Sequence, residues 1–368
     1  MKRKLPINRA GGWKRSGRIA KFALIAAMLF LCAAILPGCV GKEEKEVRVF
    51  CYGDYMDPDI PAAFEKETGI KVVLDTFDTN EELYPVIKNR AGVYDVICPS
   101  DYMAERMKNE GLLLAVDKKK LPNYKNLSKK YLRMAGESFD KGNRYAVPYQ
   151  WGAAGILYNK RRVDARDVRS WNVLMSDKYR SGIVMQDSMR DAMGIMLKSM
   201  GRSLNSVKRS ELAQAAKRLI DQKKLVYKYA NDSVRDLLIG NSADLGVVWN
   251  GEAIYSIKLN KDLAFSIPKE GTEIFMDNWC IPKNAFHTSN AHKFIDYMCR
   301  ADVAYRNFKY LTYSTPNAAA VKLIPKKYRT FKELFLPDSM LKQSETLKDV
   351  GATGDKLYSE YWKKFKSE

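Results

Sequence analysis

Short apolar runs alternate with helical patterns along most of this chain, and two long extended stretches interrupt the alternation. Residues 47–52, 70–74 and 93–98 read as buried strands. Helices are expected over 61–68, closed by Gly69, near 80–88, and over 101–109, stopped by Gly111. Strands alternating with helices of this length imply βαβ units around a parallel sheet, with right-handed crossovers placing helices on both faces. Then the pattern changes. Residues 145–159 (YAVPYQWGAAGILYN) stay extended for long enough to leave one domain and enter another. A second series follows, with a strand at 182–186, helices near 189–200 and 211–222, and a helix beginning after Asp232 or Ser233 as N-cap. A strand at 245–249 closes it. Residues 275–282 (FMDNWCIP) are extended again as a return crossing, and helices over 291–299 and 355–365 complete the chain. The expected class is α/β, with two lobes joined by two extended hinge crossings.

The N-terminus fixes the compartment. Eight cations and no acid occupy residues 1–21, and an apolar run of 15 residues, 22–36, follows. That run is short of the roughly 20 residues a spanning helix needs, and the pattern is that of a secretory signal. It ends in Leu36-Pro37-Gly38-Cys39, which resembles a bacterial lipobox. Cys39 would then be diacylated and become the first mature residue, and two acyl chains hold a protein stably on a membrane. Pro37 departs from the usual small residue, and an ordinary cleaved signal or an uncleaved anchor is the alternative. The expected division is a signal peptide over 1–38 and a charged tether over 39–46 (GKEEKE within it). Lobe 1 would take 47–148 with 276–321, and lobe 2 would take 149–275 with 322–368.

The formal net charge is +20, but removing the leader's cations leaves 55 basic against 43 acidic residues. The remaining charges are scattered singly, with no Arg-rich run and no aromatic RNA-binding motif, so nucleic acid is not an expected partner. A cationic ligand would need a local acidic cleft working against the global charge. Beyond Cys32 and Cys39, four cysteines remain: Cys51, Cys98, Cys280 and Cys299. Without CxxC spacing or a nearby His, metal ligation is a poor reading, and buried free thiols are favoured over a disulfide. His287 and His292 are expected at the surface.

In a hinged pair of α/β sheets, ligands gather at the carboxyl ends of strands. Those ends carry two residue types. Carboxylates are Asp54, Asp101, Asp187, Asp191, Glu252 and Asp277; aromatics are Tyr52, Tyr55, Tyr102, Trp249 and Phe275. Gly53 is expected to let the backbone turn beneath a ligand. An alkyl chain bearing ammonium groups suits this mixture, because aromatic faces shield methylenes and attract cations at about 0.5–2 kcal/mol per contact. Carboxylates accept the ammonium hydrogens in charge-assisted bonds. Each residue has a plainer reading: strand-end aromatics are commonly core, and Asp54, Asp187 or Asp191 could cap a turn or helix. Asp277, inside an apolar strand where an unpaired carboxylate is costly, is the strongest single candidate.

Several segments resemble the bacterial spermidine/putrescine-binding proteins: FEKETGIKVVLDTFDTNEELY (64–84), YDVICPSDYMAERM (94–107), VPYQWGAAGILYN (147–159), LGVVWNGEA (245–253), FMDNWCIPKNA (275–285) and YSTPNAAA (313–320). The resemblance implies a type II periplasmic-binding-protein fold with a polyamine held between lobes. It also implies delivery to the permease subunits of an ABC transporter, no cofactor, no catalysis and a monomer. Carried over by motif, Tyr52, Tyr55, Tyr102, Trp249, Phe275 and Tyr313 form an aromatic box. Asp54, Asp191 and Asp277 hold ammonium groups, with Ser100 assisting. Phe275 stands where relatives often have Trp, Ser188 where they often have a further Asp, and Leu347 replaces a polar residue. Fewer and shorter acids slightly favour putrescine, unless Asp187 beside Ser188 restores the charge. Rival solutes on the same fold are a quaternary amine, which needs fewer carboxylates, and ferric ion, which would use a Tyr pair and often His.

Overall fold

The computed structural model describes residues 45–231, 233–329, 336, 340 and 342–368. The expected signal, the lipidation residue Cys39 and the tether up to residue 44 lie outside the described residues, as does Asp232.

Ten strands make up the sheet structure: β1 Glu46–Tyr52, β2 Lys71–Phe77, β3 Val96–Ile97, β4 Leu113–Leu114, β5 Ala146–Asn159, β6 Ile183–Gln186, β7 Val226–Ala230, β8 Leu245–Trp249, β9 Leu263–Ser266 and β10 Ile274–Pro282. Their order is β2-β1-β3-β10-β5-β8-β6-β7, with β4 on β10 and β9 on β5. Two parallel groups, β2-β1-β3 and β8-β6-β7, flank the antiparallel pair β5 and β10. The first part of β5 pairs with β10, and its last residues pair with β8 and β9. β10 runs the other way and meets β3 at Cys280. These are the two extended crossings that the sequence predicts, and every residue of both strands is buried.

Side-chain alternation divides each half into two packed faces. On β1, Val47 and Val49 join Ile60, Phe64, Phe294 and Trp279, while Phe50 joins Leu83, Ile97 and Met103 on the other face. On β6, Ile183 and Met185 pack with Met193, Leu212 and Leu219, while Val184 packs with Val234, Leu238 and Val248. The C-terminal helix Gly351–Ser367 inserts Tyr358 and Phe365 into the same cluster as Met193 and Leu219.

Gly69 and Gly111 take left-handed backbone where the helices Ile60–Thr68 and Asp101–Asn109 end, as expected. The expected strand over 93–98 is shorter, Val96–Ile97, with the flanking Asp95 and Cys98 N–H groups also donating to the Arg48 and Phe50 carbonyls of β1. β7 and the helices Lys129–Ser138, Asn250–Leu259 and Ala301–Leu311 are absent from the sequence reading. The four described cysteines are free and buried, and burial pushes the Cys51 thiol up to about 12. Both histidines depart from the surface placement. His287 is buried, with its Nδ1 2.9 Å from Asp95, whose other oxygen accepts the His287 backbone N–H. His292 is buried too; its Nε2 accepts the Asp117 N–H and its Nδ1 donates to the Thr288 carbonyl. Both rings hold loops onto the helix Thr288–Met298 and its approach.

Candidate functional site

A cavity of about 350 Å³ opens at the strand ends of both halves. Tyr52, Asp54, Tyr55, Ser100, Tyr102, Ser188, Asp191, Trp249, Phe275, Asp277 and Tyr313 all line it. Asp187 does not. Its carboxylate turns away and pairs with Lys366 at 2.6 Å, so it adds no charge beside Ser188.

Asp277 is a buried carboxylate, 4 % exposed on β10. The Ser100 hydroxyl donates to its Oδ1 at 2.6 Å, and the Tyr55 hydroxyl donates to its Oδ2. Tyr52 in turn lies 2.9 Å from the Ser100 oxygen, and the Tyr149 hydroxyl fixes Tyr55 through its carbonyl at 2.7 Å. All these donors are neutral. Burial, with Asp191 adding repulsion, raises the Asp277 carboxyl to about 6 against the two hydrogen bonds that lower it. A buried anion with neutral donors lacks a counter-charge, which a ligand cation supplies.

Aromatic rings form a continuous wall beside it. Tyr55 meets Tyr52 at 5.2 Å and Tyr313 at 5.8 Å between centroids; Phe275 meets Trp249 at 4.8 Å and Tyr313 at 5.8 Å, all edge to face. Two glycines make room for these rings. A Cβ on Gly152 would stand 2.6 Å from the Phe275 ring, and one on Gly251 2.5 Å from the Tyr313 ring. The turn after β1 is made by Asp54, at φ 49°, rather than by Gly53, which has ordinary φ. Short polar side chains tolerate that left-handed backbone.

Two further acidic groups lie in the cleft. At one, the Asp54 carboxylate accepts the Tyr310 hydroxyl at 2.5 Å and faces Arg235 of the helix Ser233–Ile239 at 3.5 Å, with Glu252 near the same guanidinium. The charge that motif transfer assigns to an ammonium group is here already shared with Arg235. At the other, Glu81 accepts the Tyr102 hydroxyl at 3.0 Å, and the Asp191 and Glu273 carboxyls hydrogen-bond one another. Burial raises Glu81, Asp191 and Glu273, and mutual repulsion adds to it in Glu81 and Glu273. Behind this group the buried Arg190 lies 5.2 Å from the Tyr102 ring centroid and 4.8 Å from that of Tyr358. In all, seven carboxyl side chains and two cationic ones, Arg235 and Lys309, line the cavity, so the cleft is acidic on a basic protein.

Glu81, Asn231, Arg235 and Glu273 are among the lining residues that the sequence reading leaves out. Glu81 follows β2, which extends three residues beyond the expected Leu74, and Asn231 follows β7. The strand-end rule finds both once those strands are bounded correctly. Glu273 precedes β10, and its signal is the period-two spacing Glu273, Phe275, Asp277.

A family model described as bacterial extracellular solute-binding protein matches residues 60–333. The chain is 33 % identical to the spermidine/putrescine-binding periplasmic protein of Escherichia coli K12, over 85 % of this chain and 89 % of that one. It is 30 % identical to the putrescine-binding periplasmic protein PotF of the same organism, over 91 % and 95 %. A solved structure described as a putative spermidine/putrescine ABC transporter from Listeria monocytogenes superposes with a TM-score of 0.84 at 36 % identity, covering 88 % of this chain and 99 % of that one. The chain belongs to the bacterial extracellular solute-binding proteins and, among them, to the spermidine/putrescine-binding family.

Proposed function

We propose that this protein captures a polyamine outside the cytoplasm and delivers it to the permease subunits of an ABC transporter. The observation that carries the reading is Asp277, a buried carboxylate held by neutral hydroxyls and walled by aromatic rings. That arrangement offers one charge-assisted bond and several apolar faces, which a protonated amine on a methylene chain satisfies together. The ligand side chains are Tyr52, Tyr55, Ser100, Tyr102, Ser188, Asp191, Trp249, Phe275, Asp277 and Tyr313, with Asp54 at the Arg235 end. Lobe 1 comprises 47–148 with 276–321 and lobe 2 comprises 149–275 with 322–368, so that β5 and β10 form the hinge. Residues 1–38 are the signal, and Cys39 carries the lipid that holds the protein at the membrane as a monomer.

In this reading the acids serve to bind charge. A ligand that binds only the folded state stabilises it by about 2.7 kcal/mol at a hundred times its Kd. Putrescine or spermidine at saturation is therefore expected to raise the melting temperature by about 4 °C. Glycine betaine and ferric citrate are expected to leave it in place. A transition unmoved by both polyamines, or moved by ferric citrate instead, contradicts the reading.

A further inference from the structure

The acidic group around Tyr102 is larger than the family motif accounts for, and one member has no role in it. Glu273 is 4 % exposed and lines the cavity, and its side chain bonds Asp191. No cation forms an ion pair with either carboxyl among the described residues. The residues facing the pair are Glu81 from the helix Asn80–Asn89, Asp101 beside Tyr102 on the helix Asp101–Asn109, and Arg190 next to Asp191. Arg190 donates to the Lys348 carbonyl and to Asn205, and its charge only partly offsets the effect of burial on Glu81, Asp191 and Glu273. Glu273, just before β10, and Phe275 and Asp277 on it stand at alternate positions and all line the cavity, as acid, ring and acid. At the strand rise their ends are separated by about 13 Å along the backbone. The terminal nitrogens of a triamine lie nearly twice as far apart as those of a diamine, so a triamine matches that separation better.

Resting on the polyamine reading above, we infer that Glu273, paired with Asp191, is the residue that selects a triamine over a diamine by receiving the ammonium group farthest from Asp277. The acid count from the motif, which leans toward putrescine, omits Glu81 and Glu273. With the cleft empty the two carboxyls share a proton, since both cannot ionise side by side in a buried place. An arriving ammonium group replaces that proton, which leaves to solvent. The bond broken is the carboxyl O–H, and the bonds formed are N–H···O contacts to both carboxylates.

The test is calorimetric titration of the full protein with spermidine and with putrescine, in two buffers of different protonation enthalpy, for wild type and Glu273→Gln. Wild type is expected to bind spermidine more tightly and to release close to one proton per spermidine near neutral pH. Glu273→Gln is expected to lose at least tenfold in spermidine affinity, less than threefold in putrescine affinity, and the proton release. Equal losses for the two ligands, an unchanged preference, or no proton release by wild type overturns the assignment while the polyamine reading stands. Proton release needs no variant, so the assignment is tested even where Glu273→Gln folds poorly. Silence of wild type toward both ligands overturns the polyamine reading itself.

Discussion

Asp277→Asn is expected to weaken polyamine binding by at least tenfold, and closer to a hundredfold, while leaving the ligand-free protein no less stable. The two effects have one origin. Asp277 is buried, and its counter-charge arrives only with the ligand, so removing the negative charge leaves an ammonium group buried without its partner. Truncating one member of a buried charge pair costs about 2–5 kcal/mol. In the empty protein the sign reverses. Its folded value of about 6 exceeds the ordinary 3.8, so its contribution to stability is fully present below pH 3.8 and lost as pH rises through 6. At neutral pH the carboxylate therefore costs the empty fold on the order of 3 kcal/mol, which the isosteric amide avoids. The hydroxyls of Ser100 and Tyr55 can each donate or accept, so both adapt to an amide. The checks are a titration and a melting curve on the same preparation. Wild-type affinity should also fall up to tenfold per pH unit below 6 as the carboxyl takes up a proton that the ligand must displace. Wild-type affinity in the variant removes Asp277 from the site; a melting temperature well below wild type without ligand assigns it a structural role instead.

Trp249→Ala is expected to cost at least thirtyfold in affinity for every polyamine tested. Trp249 ends β8 and begins the helix Asn250–Leu259, its backbone N–H accepted by Glu252 at 3.3 Å, so its ring is placed by two elements at once. It stands edge to face with Phe275, and the pair walls the cleft beside Asp277. Losing it forfeits a cation–π contact of about 0.5–2 kcal/mol and the burial of ligand methylenes at about 0.8 kcal/mol each. Trp249→Phe restores a face and is expected to recover most of the loss. An alanine variant that binds as wild type does would mean that the ligand lies along another wall. Because the ring serves all ligands alike, its loss leaves the preference between spermidine and putrescine unchanged, in contrast to Glu273→Gln.

Much of this is legible in the amino-acid sequence, for a physical reason. β5 and β10 are buried on both faces and are long extended stretches, and β6 and β8 are short apolar runs that lead into helices. Burial on both faces writes itself plainly into sequence. The edge of the sheet does not: in β7, Tyr227 and Lys228 are exposed, and the strand carries no apolar run. β2 has only Phe77 fully buried, and its end was therefore misplaced, taking Glu81 out of the strand-end window. Asp187 and Asp191 look alike on paper, four residues apart. Only the packing of the C-terminal helix, which brings Lys366 to Asp187, separates the outward acid from the inward one. His287 and His292 are expected at the surface because they fall in a loop and a helix start away from the strand ends, whereas each ring reaches a buried backbone group or a carboxylate of a distant loop.

The most direct measurement is an equilibrium titration of the purified protein, stripped of ligand, with putrescine, spermidine, glycine betaine and ferric citrate. The account predicts saturable binding of polyamine at one site per chain, recovered chemically unchanged, and no binding of the other two. No heat with either polyamine, or saturation by betaine or ferric citrate in their place, contradicts it.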